Sequence, residues 1–370
     1  MKPLHTALLL VVLASSSCSD MATKPIIPVR VTGIILDRDG APLPGTRLEF
    51  AHRYSPGDPY SYYFYTASTN ASGTYSVDLI PGGYWVYVAP PDQSGYSPTG
   101  LVADFSGRAG ILDYRFTGFK ISGTVATPGG GVLSQGSVYA QGSGGSGGAD
   151  IRGGAFTLIL PAGTYDFRLD AYTAVGIPGV TVHNVVVAAD TALSFTLDGN
   201  LIRGTVRGPG GIPLGAARVR ADAPDARATA ITLVDGTYAM YLPSMDYLVT
   251  VTPGPQNSYI ASLGPSSQSI TGPQTIDFDL AGVEWTGIVR LAPSGNPLPG
   301  ASVYASGGGV AYGYAYSITD GLGRFRLVLR PYGIYDLQIQ SQFPAAMGRI
   351  EGLQAVNDST LDITVDPLAP

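Results

Sequence analysis

Gly73-Thr-Tyr-Ser-Val-Asp-Leu79, followed at once by Pro81-Gly-Gly-Tyr-Trp-Val-Tyr-Val88, decides how this chain folds. Tyr75, Val77 and Leu79 fall on alternate residues, and so do Tyr84, Val86 and Val88. A period of two places each set on one face of a strand, so the stretch reads as two half-buried antiparallel strands joined as a hairpin through a Pro-Gly turn. Upstream, Val29, Val31, Ile34 and Leu36 surround Gly33, and Asp37-Arg-Asp-Gly40 and Ala41-Pro-Leu-Pro-Gly45 then break the pattern. Pro pre-sets φ and Gly supplies positive φ, so these breaks are turns, and Leu48 and Phe50 resume the next strand.

The same phrase returns three more times. Its opening glycines are Gly33, Gly123, Gly204 and Gly287, spaced 90, 81 and 83 residues apart. Its second half recurs as Gly154-Ala-Phe-Thr-Leu-Ile-Leu160 with Pro161-Ala-Gly-Thr-Tyr165, as Gly236-Thr-Tyr-Ala-Met-Tyr-Leu242 with Tyr247, and as Gly323-Arg-Phe-Arg-Leu-Val-Leu329 with Gly333-Ile-Tyr335. Each copy closes on one more alternating strand, as in Leu193, Phe195 and Leu197. The period is too long for a solenoid unit and fits one small sandwich. The reading is all-β: four tandem seven-stranded β-sandwiches over residues 29–119, 120–199, 200–282 and 283–370. Junctions as short as Asp198-Gly199-Asn200 leave little freedom, so a semi-rigid rod longer than about 100 Å is expected. The Gly-rich stretch Gln141 to Gly148 reads as a loop.

Fifty Gly and 29 Pro accompany a hydrophobic fraction of 45%, a turn-rich β composition rather than a disordered one. With 13% charged residues and a net charge of −6, there is no footprint for a phosphate backbone, and nucleic acid is not an expected partner. Residues 1–18 carry Lys2, an apolar run from Ala7 to Ala14, then Ser15, Ser16, Ser17 and the single Cys18, which read as a secretory signal. Residues 19–28 follow as a tether, and one cysteine permits no internal disulfide.

The Leu-Ala-Ser-Ser-Ser-Cys stretch resembles a bacterial lipoprotein cleavage box, with Ser15 where that family has Leu. The resemblance implies acylation of Cys18, a membrane partner through that lipid, and placement on the outer membrane or cell surface. An ordinary signal cleavage nearby is the alternative. The phrase Asn296-Pro-Leu-Pro-Gly-Ala-Ser-Val303 with Thr319-Asp-Gly-Leu-Gly-Arg-Phe325 resembles the carboxypeptidase regulatory-like domain, a transthyretin-like sandwich. That resemblance spans the mature chain and implies accessory modules without a shared catalytic site.

Beyond the signal the chain holds only His52 and His183, in different copies, and no His-Glu-x-x-His spacing, so no zinc enzyme, other metal site or cofactor is expected. Asp37 and Asp39 before Gly40 read as a turn, since no further carboxylates follow to complete a calcium loop. Tyrosine carries the binding potential. Tyr54, Tyr60, Tyr62, Tyr63 and Tyr65 crowd one stretch of the first copy, and Tyr312, Tyr314 and Tyr316 alternate in the fourth. Two readings stand for them: ordinary cross-strand packing, or an exposed platform for a polysaccharide or protein ligand. The expected function is a non-catalytic surface lipoprotein serving as spacer or adhesion module. A carbohydrate-binding protein and an accessory subunit of a secreted peptidase or transporter are the alternatives.

Overall fold

The computed structural model describes residues 27–53, 62–92, 94–107, 109–172, 176–308 and 313–368. Cys18, Tyr54, Tyr60 and Tyr312 lie outside them. The protein is almost entirely β-structure with several sandwich-like pairs of sheets. Its contacts divide it into two compact units. The first comprises Leu36 and the residues before it, Gly40–Ala89 and Thr99–Arg115, and the second comprises Asp37–Asp39, Pro90–Pro98 and Phe116–Pro370.

In the first unit, strand Thr74–Leu79 pairs antiparallel with Val29–Leu36, which pairs in parallel with Ala109–Ile111 and Tyr114–Arg115. The facing sheet runs Tyr62–Ser68, Arg47–Arg53, Gly83–Ala89, Thr99–Asp104. The two strands expected to form a hairpin, Thr74–Leu79 and Gly83–Ala89, therefore belong to opposite sheets. The Pro-x-Gly-x-Tyr connection explains the difference: Tyr84 is buried and its hydroxyl donates to the Ile80 carbonyl at 2.8 Å, pinning a crossover between layers. This is the arrangement of a tyrosine corner. The alternation holds in Leu48 and Phe50, in Tyr75 and Leu79 with Val77 half-buried between them, and in Tyr84, Val86 and Val88, whereas in the opening strand a strict period of two buries Val29, Val31 and Ile35 and leaves the expected Ile34 and Leu36 only half-buried.

The corner recurs in the second unit. Tyr165 donates to the Pro161 carbonyl at 3.0 Å and Tyr247 to the Pro243 carbonyl at 3.1 Å, while the Tyr335 hydroxyl accepts from the Arg330 N–H at 2.9 Å. The phrase-opening glycines also have one explanation. Gly33 faces Tyr75 across the strand pair, Gly123 faces Phe156, Gly204 faces Tyr238 and Gly287 faces Phe325. A Cβ at any of the four would strike that ring, and at Gly33, Gly204 and Gly287 also the carbonyl of Leu112, Ile276 or Leu361. A side chain there is excluded by the aromatic that covers the glycine.

A buried threonine ties the remaining motifs together. Thr69, Thr232 and Thr319 each donate to a leucine carbonyl in the Pro-Leu turn, at Leu43, Leu214 and Leu298. Each also accepts from the N–H of the residue just before the strand that follows that turn, at Thr46, Ala217 and Ala301. Among the described residues of the 120–199 segment no threonine takes this place, and there the Gly154 N–H reaches the Leu133 carbonyl directly at 2.8 Å.

Three apolar cores fill the second unit, centred on Phe167 and Leu158, on Tyr247 and Val251, and on Tyr335 and Leu327. Its sheets run past the expected copy boundaries. Eleven strands form one continuous path in which Gly179–Val187 pairs with Ala226–Ile231 through Gly179↔Arg227 and Val180↔Ala226. Further backbone hydrogen bonds recur at equivalent places: Ile159 N–H to Gly95 O at 2.7 Å, Tyr241 N–H to Gly176 O at 2.8 Å, and Val328 N–H to Tyr259 O at 2.7 Å. In each case the amide is the penultimate residue of the Gly-x-Tyr/Phe strand, and the carbonyl lies in the segment after an earlier corner strand.

Candidate binding surfaces

Strand alternation splits the tyrosine cluster of the first unit. Tyr65 lies opposite Phe50 on the inner side and packs edge-on against Tyr84, ring centroids 6.2 Å apart. Tyr63 lies opposite His52, on the same side but beyond the core, and is exposed. His52 donates its Nδ1–H to the Gly83 carbonyl at 2.9 Å and its ring lies 5.0 Å from that of Tyr84. Tyr62 begins the strand.

The outer face of the same sheet presents aromatic side chains that the sequence reading did not select. Phe64, Ala51, Trp85 and Val102 stand directly opposite one another on four adjacent strands. Phe64, Trp85 and Val102 are 61%, 55% and 80% exposed, and Tyr87, one row along, is 44% exposed. The next row reads Thr66, Glu49, Tyr87, Gly100. A Cβ at Gly100 would overlap the six-membered ring of Trp85, so the indole leans across the neighbouring strand into space that only glycine leaves. Arg47 pairs with Glu49 at 2.9 Å on this face. The signal was present in Gly83-Tyr-Trp-Val-Tyr-Val88, where the residues between the buried ones are also aromatic.

In the 283–370 segment, Tyr314 and Tyr316 share the side of their strand opposite the buried Ala315. Tyr304 joins them from the neighbouring strand, facing Tyr316. Tyr304 and Tyr314 stack at 5.9 Å, and the Tyr316 and Ser302 hydroxyls are 3.1 Å apart. Burial raises the Tyr304 phenol above its ordinary pKa. Tyr304 and Tyr314 thus pack on each other while Tyr314 stays exposed. An open cleft of about 700 Å³ lies elsewhere in the second unit, lined by Pro91, Tyr96, Tyr139, Asp150, Arg152 and Tyr172.

His183 sits between two carboxylates, with Nδ1 2.9 Å from Asp166 and Nε2 2.8 Å from Asp225. Hydrogen bonds to both raise its pKa, and the Asn184 N–H followed by His183 lowers that of Asp166. The Asp39 N–H donates to the Asp37 carboxylate at 2.9 Å, closing a turn. No group of three or more His, Cys, Asp or Glu side chains capable of holding a metal occurs among the described residues. Among those residues no helix is long and apolar enough to cross a membrane.

The architecture defines a class, an all-β protein of repeated sandwich-like sheets carrying aromatic surface patches. No family model and no curated protein matches the chain. Among solved structures it is similar to the Bacillus anthracis TIE protein, with 12% identity over 88% of this chain and 69% of that one and a TM-score of 0.21. It is also similar to the shaft pilin spaA from Lactobacillus rhamnosus GG, with 13% identity over 46% and 98% and a TM-score of 0.22. BcpA, the major pilin subunit of Bacillus cereus, gives 13% identity over 92% and 100% and a TM-score of 0.20. Identities and TM-scores this low assign neither a family nor a function.

Proposed function

We propose that the chain is a non-catalytic cell-surface lipoprotein, a rod of carboxypeptidase-regulatory-like sandwiches anchored by lipid on Cys18 and acting as a spacer or adhesion module. The observation that carries this reading is the recurring backbone fastening inside the second unit, where Ile159, Tyr241 and Val328 each donate to a segment from an earlier part of the chain. Inside the second unit these hydrogen bonds, reinforced by a sheet that continues from Gly179–Val187 into Ala226–Ile231, tie successive segments together at fixed spacing. A flexible string would need none of this.

Small-angle scattering on the mature chain, with Cys18→Ser to prevent acylation, tests the spacer. A rod of about 100 Å gives a radius of gyration of roughly 30 Å or more, whereas a compact body of this length gives about 20 Å. A value near the compact figure overturns the reading. Incorporation of labelled palmitate in the native host, lost in Cys18→Ser, tests the anchor.

A further inference from the structure

From the outer face of the sheet Tyr62–Ser68, Arg47–Arg53, Gly83–Ala89, Thr99–Asp104, we infer that the first unit binds a neutral polysaccharide strand laid across its four strands. The inference goes beyond the spacer reading and stands without it. Phe64 and Trp85 occupy the same row with Ala51 between them, two strand spacings apart, which is roughly 10 Å. That distance suits rings separated by one disaccharide length, and Ala51 leaves a trough between them for the intervening sugar. Aromatic side chains offer the apolar C–H faces of pyranose rings a surface to stack on.

The seat of Trp85 is specific. Its indole occupies the volume above Gly100 and remains more than half exposed, so glycine at 100 sets the ring low over the sheet rather than upright. Polar partners for hydroxyl groups stand in the adjoining rows: the Glu49 carboxylate, and the exposed Thr66 and Ser68 side chains. Charge points to a neutral ligand. Arg47 and Glu49 neutralise each other, Asp104 is engaged by Ser106, and the Phe64-Ala51-Trp85-Val102 row carries no charge.

Area argues against a second copy of the chain as occupant. Aromatic side chains bury about 150–250 Å² each, so covering Phe64, Trp85, Tyr87 and Val102 from their present exposure removes on the order of 400–500 Å². A stable dimer needs about 800 Å² from each partner. A single polysaccharide strand is satisfied by the smaller area.

The test is affinity electrophoresis of the mature Cys18→Ser chain through gels containing hydroxyethylcellulose, xylan or soluble starch. Retardation is expected in at least one gel, with Kd raised about tenfold or more by Trp85→Ala and by Phe64→Ala. Gly100→Val, which evicts the indole, should do the same, and Val234→Ala on the second unit should not. Trp85 and Trp285 are the only tryptophans. In a Trp285→Phe background the retarding polymer should therefore shield Trp85 fluorescence from acrylamide. Unchanged near-ultraviolet circular dichroism in Phe64→Ala guards against misfolding. No retardation in any gel overturns the proposal, as does retardation unaffected by Trp85→Ala. Light scattering that shows a dimer lost on Trp85→Ala overturns it in favour of a second copy.

Discussion

Replacing Thr319 by Val removes one hydroxyl and keeps the shape of the side chain. That hydroxyl accepts from the Ala301 N–H at 2.8 Å and donates to the Leu298 carbonyl at 2.6 Å, and all three residues are buried. Two hydrogen bonds worth about 1 kcal/mol each are lost. Two main-chain groups are also left dry and unpaired, each costing about 1–3 kcal/mol unless the turn relaxes enough to admit water. Partial relaxation puts the total at about 2–4 kcal/mol. Trp285 lies in the same core, its indole N–H donating to the Asn357 carbonyl at 3.1 Å, so urea unfolding in a Trp85→Phe background reads this region selectively. The midpoint should fall with little change in the denaturant slope. Thr319→Ser, which keeps the hydroxyl, should recover most of the loss. A Val variant within about 0.5 kcal/mol of the parent would refute the role assigned to this hydroxyl and, by equivalence, to Thr69 and Thr232.

Tyr247→Phe should cost about 1 kcal/mol in urea unfolding followed by circular dichroism, since it deletes only the bond to the Pro243 carbonyl from a filled corner. Gly287→Ala should cost about 2 kcal/mol or more, because the new Cβ meets the Leu361 carbonyl and the Phe325 ring; Gly272→Ala, in open space, should be neutral within about 0.5 kcal/mol. The Asp166–His183–Asp225 bridge gives a pH dependence of known sign. The folded His183 pKa is raised, so its contribution is complete below about pH 6.5 and disappears as pH climbs through the raised value. Urea midpoints should therefore fall as pH increases above that point, and His183→Gln should flatten the trend.

Much of the architecture is legible in the residues, and the exceptions have physical causes. The alternation in Gly323-Arg-Phe-Arg-Leu-Val-Leu329 corresponds to strand Arg324–Leu329, because burying one face dictates a period of two. The same alternation cannot say which sheet a strand joins. That choice is made by the Tyr84 hydroxyl reaching back to Ile80. The Gly-rich stretch expected as a loop is instead the hairpin of strands Gln135–Gly142 and Gly145–Arg152. Its glycines are needed there: a Cβ at Gly142 would strike the Thr164 backbone, and one at Gly147 would lie 2.7 Å from the Leu160 side chain. Propensity counts those glycines against a strand, and tertiary packing overrides it.

The tyrosine clusters illustrate the other limit. Counting aromatics in a stretch ignores which face each one takes, so Tyr65 reads as equivalent to Phe64, although one packs inward and the other stands exposed. The exposed row of Phe64, Trp85 and Val102 emerges only when cross-strand register brings three separate segments side by side. Register of that kind is set by pairing between distant strands and has no local sequence mark.

Amide hydrogen exchange at four equivalent positions tests the recurring fastening of the second unit most directly. Ile159, Tyr241 and Val328 donate outward to segments from earlier in the chain, while the equivalent residue of the first unit, Asp78, engages Arg30 through its side chain at 2.9 Å. The first three amides should be strongly protected and Asp78 should exchange at least about a hundredfold faster. Exchange at Ile159, Tyr241 and Val328 as fast as at Asp78 would contradict the account.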